Sequence, residues 1–333
     1  MLKRFVFARE DQPGVEWMER FATGRQEAEG WYLGKSASEP TGKTRGERPT
    51  GTECKAALLR YMPELASHYE HACELVGNDE IVRCILSHYR PPPAPVGCSI
   101  AIWSGAQGPA FIRNYDFRLD VVSDRFEMAN WSGRRVICKA QRPWGGCVDG
   151  MNEDGLAAAV TFGGSPVQGL GFAIILVLRY VLETCSDVGE AISALCRIPV
   201  AMSHNVMLLD RTGAHAAVYL GPDRAPCVTP TMATTNHQET IVWPTFAAGS
   251  ATVERLSAVE AALADPGMTL PRLVTCFLSD PIYSRRMVSP TVYTAVYRPA
   301  DNRVDYLWPG RTWSQGFDSF KEGEYVHDYG ELI

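Results

Sequence analysis

The chain has 333 residues, a formal net charge of −6, 46% hydrophobic residues and 21% charged residues. That balance is ordinary for a globular protein with a sizeable core, and it argues against a nucleic-acid binder, which carries a basic footprint. The opening MLKRFVFARED lacks an apolar run of secretory length. The most apolar stretch, 169–181, is broken by Arg179 and is too short for a membrane span, which takes about 20 apolar residues. The expectation is a soluble, cytoplasmic protein with no membrane or nucleic-acid partner. Ten cysteines, none spaced as C-x-x-C, read as reduced and mostly buried thiols, with at most one or two carrying chemistry.

Along the chain, residues 35–53 are polar and rich in Gly, Pro, Ser and Thr, which predicts a surface loop. Over 54–89 the apolar residues Leu58, Leu59, Met62, Leu65, Tyr69, Ala72 and Cys73 recur mostly three or four apart. That spacing predicts helix, restarted at Pro63. Pro91-Pro92-Pro93-Ala94-Pro95 reads as a stiff extended connector ending at Gly97-Cys98. The period then changes. Residues 99–103 and 110–117 predict two strands joined by the turn 105–108. Residues 135–141 and 155–162 also read as strands, 170–183 and 187–196 as helices, the latter capped by Ser186 or Asp187. A second hairpin joins 205–210 to 215–220. Helices follow at 252–264 and 270–278, and a last hairpin joins 291–297 to 303–308. Hairpins alternating with helix pairs predict an α+β protein of antiparallel sheets covered by helices.

His68, His71 and Cys73 sit on a helix with no fourth ligand at a metal-site spacing, so no metal is expected. His204, His215 and His237 are candidate bases for a cysteine, though each alone reads as a packed or solvated histidine. Cys98 stands out because it follows a glycine and opens a strand. A nucleophile there can use its own α-amine as base, a group that titrates at about 7.7–8.0. The amine is free only if the Gly97–Cys98 bond is cut. On the return strand, alternation puts Arg113 and Tyr115 on one face and Asn114 and Asp116 on the other. A guanidinium beside Cys98 would favour the thiolate. The segment 149–157 reads as a turn into a strand. Asn236, after the middle hairpin, carries an amide able to donate to an oxyanion.

Together, Gly97-Cys98-Ser99, Arg113-Asn114-Tyr115-Asp116-Phe117, Gly150-Met151-Asn152-Glu153-Asp154-Gly155-Leu156-Ala157 and Thr235-Asn236-His237 resemble the self-processing isopenicillin-N acyltransferase-like enzymes. These are N-terminal-nucleophile (Ntn) hydrolases related to choloylglycine hydrolase. The resemblance implies a four-layer αββα sandwich and self-cleavage into a leader, 1–97, packed in the same domain as a catalytic chain, 98–333. It implies Cys98 as nucleophile, Asp116 as holder of its amine, Asn236 as oxyanion donor and Arg113 as an aid to the thiol. Thr161 stands where bile-salt relatives carry asparagine. The later active-site arginine is Arg255, Arg285 or Arg286, and Thr161, His237 and Arg286 are possible oxyanion or substrate contacts. The implied activity is hydrolysis of a linear amide in a small N-acyl substrate, without a cofactor. The alternatives are acyl transfer from a coenzyme A thioester, a cysteine hydrolase with His204 or His237 as base, and an uncleaved binding protein.

Overall fold

The structure, a computed structural model, describes residues 1–33, 48–95, 97–105, 107–141 and 145–333. Most of the expected 35–53 loop lies outside the described residues. Strand β1 (Leu2–Arg9) turns Phe5 and Phe7 inward by alternation, and α1 (Val15–Tyr32) buries Trp17 and Phe21. Helix α2 (Gly51–Tyr61) starts earlier than expected, because Thr50 and Glu53 close a capping box. Pro63 ends that helix as expected. A 3-10 turn leads into α3 (Ala66–Leu75), and Asp79 caps α4 (Glu80–Ser87).

Strands β2 (Gly97–Gly105) and β3 (Gly108–Asp116) form the predicted hairpin. Strands β4 (Arg125–Ala129), β5 (Val136–Gln141), β6 (Gly146–Asn152) and β7 (Ala157–Phe162) follow, then α5 (Ile174–Thr184) and α6 (Val188–Arg197), the latter capped by Asp187. β6 corrects the reading of 149–157: residues 149–152 are strand, and the turn comes only after them. The middle hairpin is β8 (His204–Leu209) with β9 (His215–Leu220), followed by the short β10 (Cys227–Thr229) and β11 (Ala233–Thr234). Helices α7 (Pro244–Ser250), α8 (Thr252–Ala264) and α9 (Leu270–Phe277) precede β12 (Thr291–Arg298), β13 (Arg303–Trp308), β14 (Arg311–Gly316) and β15 (Gly323–Asp328).

The strands form two sheets. One has nine strands in the order β10-β9-β8-β7-β6-β5-β4-β1-β15, the other six in the order β11-β2-β3-β12-β13-β14. Their inner faces share one apolar core, where Phe126 of the larger sheet packs on Tyr293 and Tyr306 of the smaller. Helices α5 and α6 cover the outer face of the larger sheet, and α8 and α9 cover the smaller, where Ala101 and Ile112 meet Leu273 and Phe277. This is the expected αββα sandwich with one departure. β1 runs parallel to β4 and antiparallel to β15, so the larger sheet is not wholly antiparallel. The 1–97 segment therefore supplies an internal strand, hydrogen-bonded on both edges to later parts of the chain. No helix among the described residues is long and apolar enough to cross a membrane.

Phe7 is buried against Phe126, Tyr306 and Trp313. Phe7→Ala should therefore cost about 3–5 kcal/mol of stability, read by denaturant unfolding. A cost near zero would mean that β1 is not fixed in the sheet.

Candidate active site

β2 is an inner strand. On one side it pairs with β3, setting Gly97 opposite Asp116, Cys98 opposite Tyr115 and Ile100 opposite Arg113. On the other it pairs with β11, setting Ala101 opposite Ala233 and Ile100 opposite Thr234. Carrying that second register onward brings Asn236 opposite Cys98, and the Cys98 backbone N–H donates to Asn236 Oδ1 at 3.0 Å. Alternation in this register turns the Cys98 and Arg113 side chains to the same inner face. There Arg113 Nη2 donates to Cys98 Sγ at 3.1 Å. Burial pushes the Cys98 thiol up. The Arg113 charge opposes that shift, while Asp116 adds to it.

Arg113 is itself held from the opposite sheet. Its Nη1 donates to the Val148 carbonyl at 2.6 Å and to Asp149 Oδ2 at 2.5 Å, and its guanidinium stands 4.7 Å from the Tyr115 ring centre. Asp149 also accepts from the Tyr293 hydroxyl at 2.5 Å and the Tyr297 hydroxyl at 2.6 Å. Asp149 was not among the sequence candidates, because Asp-Gly ahead of Asn reads as turn chemistry. On a strand, the same dipeptide sends Asp149 inward and leaves room for α5 outside: a Cβ at Gly150 would stand 2.8 Å from Leu182 Cδ1.

On the outer face, Asp116 accepts from Thr291 Oγ1 at 2.7 Å and from Arg255 Nη1 at 3.1 Å. Arg255 Nη1 also donates to the Cys98 carbonyl at 2.6 Å and Ser99 Oγ at 2.7 Å, and its Nη2 to Asn236 Oδ1 at 2.5 Å. Of the three arginines open in the sequence, Arg255 is thus the one bonded to the cysteine's own backbone. Arg286 stands further out. It shares with Gly97, Asp116, Arg255 and Arg285 the wall of a cleft of about 250 Å³, and it donates to the Gly249 carbonyl. Burial raises the Asp116 pKa against the pull of Arg255, and burial lowers that of Arg255 against the pull of Asp116.

The Thr161 hydroxyl is bonded to the segment that carries Asn236. It donates to the Thr235 carbonyl at 2.6 Å and accepts from Asn205 Nδ2 at 3.0 Å, so the pair props the 235–237 segment from below. Asn205 also bonds the Thr235 and His237 carbonyls, a supporting role the sequence did not signal. Thr252 Oγ1 accepts from the Asn236 backbone N–H at 2.7 Å and lies 2.9 Å from His237 Nδ1. His204 is buried, and that burial pushes its pKa down to about 4. Among the described residues, no histidine bonds Cys98 Sγ.

The family model described as acyl-coenzyme A:6-aminopenicillanic acid acyl-transferase matches residues 103–313. The chain belongs to this family. Among solved structures, two variants of the conjugated bile acid hydrolase from Clostridium perfringens align at TM-score 0.50, with 13% and 14% identity, over 71% of this chain and 98% of theirs. The penicillin V acylase from Agrobacterium tumefaciens aligns at TM-score 0.47 and 15% identity, over 66% of this chain and 86% of its own. No curated protein matches closely enough to count as a relative. At such identities the bile acid hydrolase likeness is one of fold. The acyl-transferase-family chain has the Ntn-hydrolase sandwich, with Cys98 at the head of an inner strand.

Arg255→Ala leaves the buried Asp116 without its cation and should cost about 3–5 kcal/mol near neutral pH. The folded-state pKa of Asp116 is already raised, and the substitution raises it further. The loss should therefore shrink as pH falls through that pKa, where the carboxyl becomes neutral. Denaturant unfolding at neutral and acid pH checks this. A loss that stays constant across that range would mean Asp116 does not depend on Arg255.

Proposed function

We propose that the chain is a self-cleaving cysteine amidase whose nucleophile is Cys98, released by scission of the Gly97–Cys98 bond. The observation that carries this reading is the environment of one residue. The Cys98 sulfur lies on a guanidinium, its backbone nitrogen lies on Asn236 Oδ1, and the glycine before it crosses from Asp116. A Cβ at position 97 would stand 2.9 Å from Asp116 Cβ, so glycine is the residue that fits opposite Asp116 without displacing it.

In the first stage the Cys98 sulfur attacks the Gly97 carbonyl carbon. A C–S bond forms, the C–N bond breaks, and the nitrogen takes a proton to become the α-amine. Water then opens the thioester, restoring the thiol and leaving a Gly97 carboxylate. In turnover that amine, with an ordinary pKa of about 7.7–8.0, accepts the thiol proton. The sulfur attacks the acyl carbon of the substrate, and the proton passes to the leaving amine. Two donors on Asn236 Oδ1 hold its amide beside Cys98, and in this reading its NH₂ group donates to the developing oxyanion. Asp116, across from Gly97, holds the new ammonium. Thr161 and His237 support the Asn236 segment in this reading, and Arg286 serves the substrate cleft.

The substrate is a small N-acyl compound, and the acyl-enzyme is resolved by water. Acyl transfer is the second reading, favoured by the family's description as an acyl-coenzyme A-dependent transferase. A hydrolase and a transferase differ only in whether water or an amine enters the acyl-enzyme. All ten cysteines are free thiols, which fits a reducing, cytoplasmic setting.

A panel of N-acyl amino acids, penicillins and acyl-coenzyme A thioesters, with and without an amine acceptor, separates hydrolysis from transfer. Cys98→Ala should abolish turnover. Asn236→Ala, still folded, should lower kcat by about 10²–10³, the usual loss for one oxyanion donor. Near-normal kcat in Asn236→Ala would remove that residue from the chemistry, and turnover by Cys98→Ala would overturn the reading.

A further inference from the structure

We propose that Asp149, with the Tyr293 and Tyr297 hydroxyls bonded to it, sets how much positive charge Arg113 presents to the Cys98 sulfur. The inference rests on the reading of Cys98 as the nucleophile and adds a positioning residue that touches neither the sulfur nor a substrate.

The geometry divides the guanidinium in two. Nη2 points to Cys98 Sγ, while Nη1 is shared between Asp149 Oδ2 and the Val148 carbonyl. Arg113 and Asp149 are both fully shielded from solvent. Water therefore screens neither charge, and the field at the sulfur is the difference between a cation in contact and an anion one group further away. The two tyrosine hydroxyls draw on that anion: each hydrogen bond to the carboxylate spreads its negative charge away from Arg113. Tyr293 donates to Oδ2, the oxygen that also meets Arg113, and Tyr297 donates to Oδ1.

Other groups bear on the same balance. Lys139 lies opposite Asp149 in register, with its ammonium on the Ser123 and Ala140 carbonyls. Tyr306 stands at 3.5 Å from the Tyr297 hydroxyl. Tyr115 lies under Arg113, and Asp116 and Arg255 act on the sulfur from the other face. Only Asp149 bonds the guanidinium as an anion among the described residues, so it is the strongest single lever on Arg113.

Opposite signs test the inference. Asp149→Asn removes the counter-charge but keeps an oxygen that can accept from Arg113 Nη1, and the Val148 carbonyl still anchors that nitrogen. The pH profile of Cys98 alkylation should therefore move down by about one unit. Arg113→Ala removes the cation and should move it up. Tyr293→Phe and Tyr297→Phe concentrate the negative charge on Asp149 and should each move the profile up by a smaller amount. These two keep ring volume, so they carry the test should Asp149→Asn not fold. A purely structural role would lower melting temperature in all of these variants without shifting the profile.

The assay is iodoacetamide labelling across pH, with the labelled residue identified by peptide mass and the chain composition by intact mass. If wild type shows no Cys98 label and no new N-terminus at Cys98, the nucleophile reading fails and takes this inference with it. If Cys98 labels in wild type but Asp149→Asn shifts the profile upward or not at all, the inference alone is overturned. Unmoved profiles in both tyrosine variants would overturn it equally.

Discussion

Arg113 and Asp149 come from different sheets, are both removed from water, and meet at 2.5 Å in the middle of the sandwich. A buried pair of this kind stabilises little over an apolar replacement, but removing one partner strands the other at a cost of about 3–5 kcal/mol. The pair therefore acts as a constraint on geometry. The guanidinium meets the carboxylate across the two sheets at the place where Cys98 turns its sulfur inward. A second buried pair, Arg255 with Asp116, does the same between α8 and the outer face of the smaller sheet. Cys98 lies between the two: Arg113 touches its side chain and Arg255 its carbonyl.

The 1–97 segment is woven into this frame. β1 lies between β4 and β15 and carries Phe5 and Phe7 into the shared core. A cut after Gly97 severs a chain connection and leaves every pairing of β1 intact. On this account the two products remain one folded unit, and the gain is local. A backbone amide that now donates to Asn236 Oδ1 becomes an amine able to take a proton, beside a carboxylate and two guanidiniums.

Much of the smaller sheet was legible in the sequence, because its first hairpin combines period-two alternation with a Gly-flanked turn. The same alternation put Arg113 and Tyr115 on one face of the return strand, and the register of the hairpin adds Cys98 to that face. The place of Asn236 came only through resemblance. Its physical cause is the register of β11, two residues long, which is too short for any periodicity to reveal. Arg255, Arg285 and Arg286 are alike as sequence, and only the course of α8 separates them. Asp149 was hidden because its neighbours are turn formers, and a strand between two others overrode that preference. β1 was missed for a related reason: its partners lie far along the chain, and non-local parallel pairing leaves no local signal. The bond from the Thr161 hydroxyl to the Thr235 carbonyl joins strands distant in sequence and left no local signal either.

The central claim is that the bond before Cys98 breaks by the chain's own chemistry. Intact mass of the purified protein under denaturing conditions, with N-terminal sequencing, tests it most directly. The account predicts two chains corresponding to 1–97 and 98–333, the larger beginning Cys-Ser-Ile, and a single uncut chain for Cys98→Ala. A wild-type protein that is fully active as one unbroken chain would contradict it.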